Sequence, residues 1–265
     1  MMYHAEEHKL KLNNTQIDYI AFGKGVKPLV MLQGLSTRNI KGAAASLAYM
    51  YRIFAENYRV YLFDRRADIW EGITVKDLAA DTAMVMDVLG IADADIFGVS
   101  QGGMIAQYLT IDRPDLVHKL VLAVTLSRNN DTVRTVIGNW IGMAEHGDMK
   151  GLIANMAAKM YSDVYIKRYK PFMPLLTLLQ KPKDVRRFII LAKSCLTCST
   201  YDQLDQIKCP VLVIGGQRDM VVTGEASEEI AERIKCSIYM YPELGHAAYE
   251  EAKDFNSRVY RFLSE

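Results

Sequence analysis

Gly98-Val99-Ser100-Gln101-Gly102 sets a serine between two glycines, where the apolar run DIFGV gives way to a helix-forming stretch. A serine hydroxyl is a weak nucleophile at neutral pH. It becomes useful when a sharp strand-to-helix turn exposes its oxygen and a neighbouring base takes its proton. Glycines two residues before and two after serve such a turn by letting the strand and helix backbones approach closely. A helix beginning behind Ser100 directs its dipole and the Gln101 N–H toward a developing negative charge. The chemistry this pattern predicts is attack on a carbonyl. That reaction also needs a general base, a carboxylate to hold the base's tautomer, and a second N–H donor for the oxyanion. A glycine-rich turn with a bystander serine carries the same letters, so the surrounding elements decide between the two.

Those elements are readable as short apolar runs at 9–13, 16–22, 28–33, 59–64, 95–100, 119–125, 210–216 and 237–242. Asn13-Asn14 is a turn signal that joins the first two runs as an antiparallel hairpin. The later runs lack alternation, as a parallel sheet buried on both faces requires, and right-handed crossovers then place helices on both sides. Helical stretches are predicted up to about Asn57 and at about 75–89, 101–112, 225–234 and 252–263. From 130 to 201 no strand is predicted, only helical periodicity punctuated by Pro171, Pro174 and Pro182. Strands then resume, so one sheet is interrupted by an insertion. The expected fold class is α/β: a mostly parallel, twisted sheet of about eight strands with helices on both faces. Residues 1–129 and 202–265 form the core, and 130–201 form a helical lid inserted after the sixth strand.

This order, with the elbow at Ser100 inside it, resembles the α/β-hydrolase superfamily over nearly the whole chain. The resemblance implies the chain order serine, acid, histidine. Gly215-Gly216-Gln217-Arg218-Asp219 follows the seventh predicted strand and Gly245-His246 follows the eighth, which implies Asp219 as the acid and His246 as the base. His4 and His8 precede the sheet, His118 lies at its amino edge and His146 lies in the insertion. Asp131, Asp202 and Asp205 remain alternative acids. Where relatives carry His-Gly after the third strand, this chain has Gln33-Gly34-Leu35, so the implied oxyanion donors are the N–H groups of Leu35 and Gln101. Asp64-Arg65-Arg66-Ala67 lacks the glycines usual in that loop and reads as a surface loop with salt bridges, an altered pocket wall being the alternative. Within the superfamily the chain is similar to the small single-lid branch of 3-oxoadipate enol-lactonases and haloperoxidase-type carboxylesterases. Serine at the elbow argues against haloalkane dehalogenases and epoxide hydrolases, which use a carboxylate there.

A lid over the carboxyl edge of the sheet would roof the pocket. Gln33, Gly34, Trp140, Met143, Met160 and Phe172 are the candidate substrate-binding residues, with Met156, Tyr161, Met173 and Leu176 as further lining. Lys167, Arg168, Lys170, Lys181, Lys183, Arg186 and Arg187 read as a solvated basic face. The formal net charge of +1 gives no signature of nucleic acid or of an anionic membrane. No apolar run approaches the roughly 20 residues of a membrane span, and the amino terminus has no leader-like apolar stretch. The expected protein is cytoplasmic, a monomer or homodimer, acting on a small molecule without metal or cofactor. Cys195 and Cys198 form a CxxC with no second pair or nearby histidine to complete a metal site, and read as packing residues. The leading expectation is a serine hydrolase that cleaves a small carboxylic ester or lactone through an acyl-enzyme on Ser100. A carbon–carbon hydrolase or lyase on the same residues, or a ligand sensor with a protein partner, stands as the alternative.

Overall fold

The computed structural model describes residues 2–12, 15–172 and 182–265, apart from the side chains of Met2 and Phe172. The Asn13-Asn14 turn and Met173, Pro174, Leu176 and Lys181 lie outside the described residues.

The eight apolar runs form one sheet. In chain order its strands are β1 (Glu6–Leu12), β2 (Thr15–Phe22), β3 (Lys27–Leu32), β4 (Tyr58–Phe63), β5 (Ala94–Val99), β6 (Val117–Ala123), β7 (Val211–Gly216) and β8 (Ser237–Tyr241). Across the sheet they run β1-β2-β4-β3-β5-β6-β7-β8. β1 pairs antiparallel with β2, and β2 with β4; every other pair is parallel. Burial follows position. β5 and β7 are buried at every residue, whereas edge strand β1 has no buried residue. Alternate residues of the central strands feed two separate apolar layers, as a pleated sheet covered on both faces requires. Leu120 and Leu122 belong to one layer, Val121 and Ala123 to the other.

Among the described residues the helices are α1 (Ala44–Met50), α2 (Val75–Leu89), α3 (Gln101–Asp112), α4 (Asp131–Glu145), α5 (Met149–Met160), α6 (Asp163–Tyr169), α7 (Val185–Cys195), α8 (Gly224–Ile234), α9 (Ala248–Glu251) and α10 (Phe255–Ser264). α2, α3 and α8 contribute to the first layer, and α1 and α10 to the second. α2 starts at a capping box: the Thr74 hydroxyl accepts from the Asp77 N–H, and the Asp77 carboxylate accepts from the Thr74 N–H at 2.8 Å. Among the described residues, helices α4 to α7 lie in the stretch between β6 and β7. Among the described residues of 130–201 no strand occurs, only an isolated bridge from Arg128 to Ser199.

The single closing helix expected over 252–263 is instead two pieces, α9 and α10. Between them Ala252 is extended, and Asp254 leaves helical geometry to accept from the Tyr241 hydroxyl at 3.0 Å and from Arg258 Nε at 2.7 Å. Among the described residues, no helix is long and apolar enough to cross a membrane.

Candidate active site

β5 ends at Val99 and the chain turns at Ser100, whose φ of 52° and ψ of −119° place a non-glycine residue in left-handed space. Such a conformation costs about 1–3 kcal/mol and persists only where its surroundings fix it. Here the Ser100 N–H donates to the Ala123 carbonyl at 2.8 Å, and the Ser100 carbonyl accepts from the Thr125 hydroxyl at 2.8 Å. The glycines have a visible role. A Cβ on Gly102 would stand 1.9 Å from the Leu32 carbonyl oxygen, and one on Gly98 would stand 2.5 Å from the Gly102 carbonyl oxygen.

The carboxyl ends of β7 and β8 bring the other two side chains to this turn. His246 Nε2 lies 3.0 Å from Ser100 Oγ, and His246 Nδ1 lies 2.7 Å from Asp219 Oδ2. The second carboxylate oxygen accepts from the N–H groups of Val221 at 2.7 Å and Val222 at 3.0 Å, so Asp219 cannot swing away from the ring. Asp219 and His246 are 7% and 3% exposed, which removes competing water from both bonds. An ionised carboxylate only accepts hydrogen bonds. Nδ1 therefore carries the proton and Nε2 offers its lone pair to the serine hydroxyl.

The alternatives lie elsewhere. Asp131 is exposed at the start of α4 beside Arg134, and Asp202 and Asp205 are exposed on the 3-10 turn Tyr201–Gln206. His118 bonds Asp95, His146 bonds the Gly142 carbonyl, and His8 pairs with Glu6.

The loop after β3 runs beside the elbow. A Cβ on Gly34 would come within 3.2 Å of Ser100 Cβ, so only glycine lets the loop approach this closely without displacing its neighbour. What braces the loop is a residue that the sequence reading placed on the surface. Arg65 Nη2 donates to the Gln33 carbonyl and, at 3.2 Å, to Gln101 Oε1, which also accepts from Arg65 Nε at 3.3 Å. Gln101 in turn donates through Nε2 to the Leu191 carbonyl at 2.8 Å and the Ser194 hydroxyl at 3.1 Å on α7. Burial pulls the Arg65 guanidinium down to about 10, with Asp64 opposing the shift, and it stays charged at neutral pH.

The basic face is also corrected at one position. Arg187 on α7 turns inward and donates to the carbonyls of Arg65 at 2.9 Å, Arg66 at 2.6 Å and Ala67 at 3.2 Å. Arg66 is buried against Asp81 at 3.1 Å. The missing glycines of this loop were the available signal: a second long cation, Arg66, follows Arg65 there.

A cavity of about 280 Å³ borders the elbow through Gly34, Leu35 and Val99, with Met156 and Met160 of α5 in its wall. Gln33 lines it as well. Trp140 and Met143 do not. Trp140 is 3% exposed, donates from its indole to Asn155 at 2.9 Å and packs with Val133, Ile137 and Ile141 into the first apolar layer, where Met143 also lies. Their helical spacing marks a face of α4 that is turned into this layer rather than toward the cavity. The Phe172 side chain lies outside the described residues. Cys195 and Cys198 are buried free thiols, each pushed up to about 12 by desolvation and so held protonated.

Comparison with known proteins follows the same lines. A family model described as the α/β-hydrolase fold matches residues 27–145. The 3-oxoadipate enol-lactonase 2 of Acinetobacter baylyi is 24% identical over 259 residues, covering 94% of each chain. Among solved structures, MGS-M2, an α/β-hydrolase enzyme from a deep-sea metagenome library, superposes with a TM-score of 0.88 at 21% identity, covering 97% of this chain and 98% of that one. The enol-lactonase from Burkholderia xenovorans superposes with a TM-score of 0.85 at 20% identity, covering 97% of this chain and 100% of the other.

Proposed function

The chain has the α/β-hydrolase fold, and from that premise we propose that it is a serine hydrolase that cleaves a small carboxylic ester or lactone through an acyl-enzyme on Ser100. The observation that carries this reading is the unbroken hydrogen-bond chain from Ser100 through His246 to Asp219, at 3.0 and 2.7 Å. Ser100 Oγ attacks the carbonyl carbon while its proton passes to His246 Nε2, and Asp219 stabilises the imidazolium. The carbonyl oxygen, now an oxyanion, is received by the N–H groups of Leu35 and Gln101. As the intermediate collapses, His246 returns the proton to the leaving alkoxide. Water then repeats the sequence on the acyl-enzyme and frees the acid.

A cavity of about 280 Å³ lies just under the roughly 300–1,000 Å³ of pockets for drug-sized ligands, which favours a small substrate. The enol-lactonase among the relatives supports a lactone or enol ester within that class. Residues 130–201 act as the lid: Met160 forms part of the wall, and its carbonyl accepts from the Ala247 N–H at 2.8 Å, next to His246.

A fluorophosphonate probe tests the assignment directly. It is expected to form one covalent adduct, and peptide mass mapping should place it on Ser100; an adduct elsewhere, or none, sinks the proposal. Arg65 offers a second test. With methionine in its place, the Gln33 carbonyl and Gln101 lose their charged donor and the oxyanion loop is free to shift. A misplacement of about 1 Å costs on the order of 10²-fold. Steady-state kinetics of Arg65→Met should show kcat reduced by about ten- to a hundredfold with little change in KM. A rise in KM alone would assign Arg65 to substrate binding instead.

A further inference from the structure

Glu250, on α9 and four residues beyond His246, lines the 280 Å³ cavity. Beside it the cavity is lined by Met50 of α1, by Ile153 and Met156 of α5, and by Tyr161 and Tyr249, whose hydroxyls face the carboxylate. A carboxyl group there gains nothing from its apolar neighbours. Lid and core atoms push its pKa upward, and the hydroxyls of Tyr161 and Tyr249 oppose that shift. The group is nevertheless accessible to water and fixed in place. Tyr161 donates to its Oε2 at 2.6 Å, and the next residue of each segment repeats the tie, the Ser162 N–H donating to Glu251 at 2.8 Å.

We propose that Glu250 is the specificity-determining residue of this cavity, and that the substrate arm entering it ends in a hydrogen-bond donor, an ammonium or a hydroxyl, rather than in a carboxylate. Met50, Ile153 and Met156 suit a short methylene chain, and Glu250 offers a carboxyl group in the same cavity to the polar end of such a chain. A substrate carboxylate would meet a second carboxyl group, while the hydroxyls of Tyr161 and Tyr249 are already spent on Glu250. Arg38, as exposed as Glu250, lines the same cavity on the loop that carries Leu35, and the substitutions at Glu250 separate its pull from that of the carboxyl. The inference rests on the hydrolase reading for its substrate class, and the experiment separates the two.

Two ester series are assayed with the full chain. One varies the acyl arm, as p-nitrophenyl esters of hexanoic, 6-hydroxyhexanoic, 6-aminohexanoic and adipic acids. The other varies the alcohol arm, as acetate esters of hexanol, hexanediol, 6-aminohexanol and 6-hydroxyhexanoic acid. Each kcat/KM is divided by that for p-nitrophenyl acetate. In one series the ammonium or hydroxyl ester should exceed the carboxylate ester by about tenfold or more, because a site built to bond a polar group discriminates strongly against its absence or opposite. Glu250→Gln should bring that ratio to within about threefold, and Glu250→Lys should invert it. A carboxylate preference in the wild type, no preference in either series, or a preference untouched by both substitutions overturns the proposal. Should p-nitrophenyl acetate not be cleaved at all, the hydrolase reading falls, and calorimetric Kd values for the anilides of 6-aminohexanoic and adipic acids decide the role of Glu250. Tighter binding of the aminohexanoyl anilide that is lost in Glu250→Gln upholds it; equal Kd values dismiss it.

Discussion

Ser100→Ala is expected to lower kcat for p-nitrophenyl acetate by roughly 10⁵- to 10⁶-fold, the scale on which loss of a nucleophile acts when its partners work as one unit. The substitution removes a single oxygen. Alanine occupies the left-handed backbone at residue 100 as serine does, and the bonds holding that turn run through the Ser100 N–H and carbonyl. The variant should therefore unfold within about 1 kcal/mol of the parent, as surface-like truncations do. Activity loss with an unchanged denaturation midpoint is the combination that identifies a nucleophile. Turnover surviving in a pure preparation would remove Ser100 from that role.

Asp219→Asn should lower kcat by about 10⁴-fold, for a reason visible in the hydrogen bonds. Val221 and Val222 N–H donate to Oδ1, so an asparagine keeps its carbonyl oxygen there and turns its amide toward His246. Nδ1 must then accept, the ring proton moves to Nε2, and the nitrogen facing Ser100 no longer takes a proton. Single-turnover acylation measured by stopped flow checks this; a rate near that of the parent would transfer the acid's role to another carboxylate.

Much of the architecture was legible because it is local. Eight apolar runs and the glycines around Ser100 each speak through neighbouring residues, and the sheet the structure describes contains all eight. Asp219 was readable only by its place after β7, since an aspartate in a loop carries no local mark of its partner. Arg65 was misread because its partners, Gln33 and Gln101, lie 32 and 36 residues away in the sequence. A long cation in a loop looks solvated until the fold encloses it. Trp140 and Met143 were misplaced for the opposite reason: an apolar face at helical spacing fits a pocket wall and a packed interior equally well, and α4 turns it into the first apolar layer.

The inward turn of Arg187 has a consequence for redesign. The insertion and the elbow share their fastenings, because α7 supplies both the guanidinium that holds the carbonyls of 65–67 and the backbone and hydroxyl oxygens that hold Gln101. Exchanging residues 130–201 for a relative's segment to import a new substrate range would remove all of these at once. A transplanted segment must therefore bring its own arginine to hold the 65–67 loop, or leave that loop and Gln101 slack.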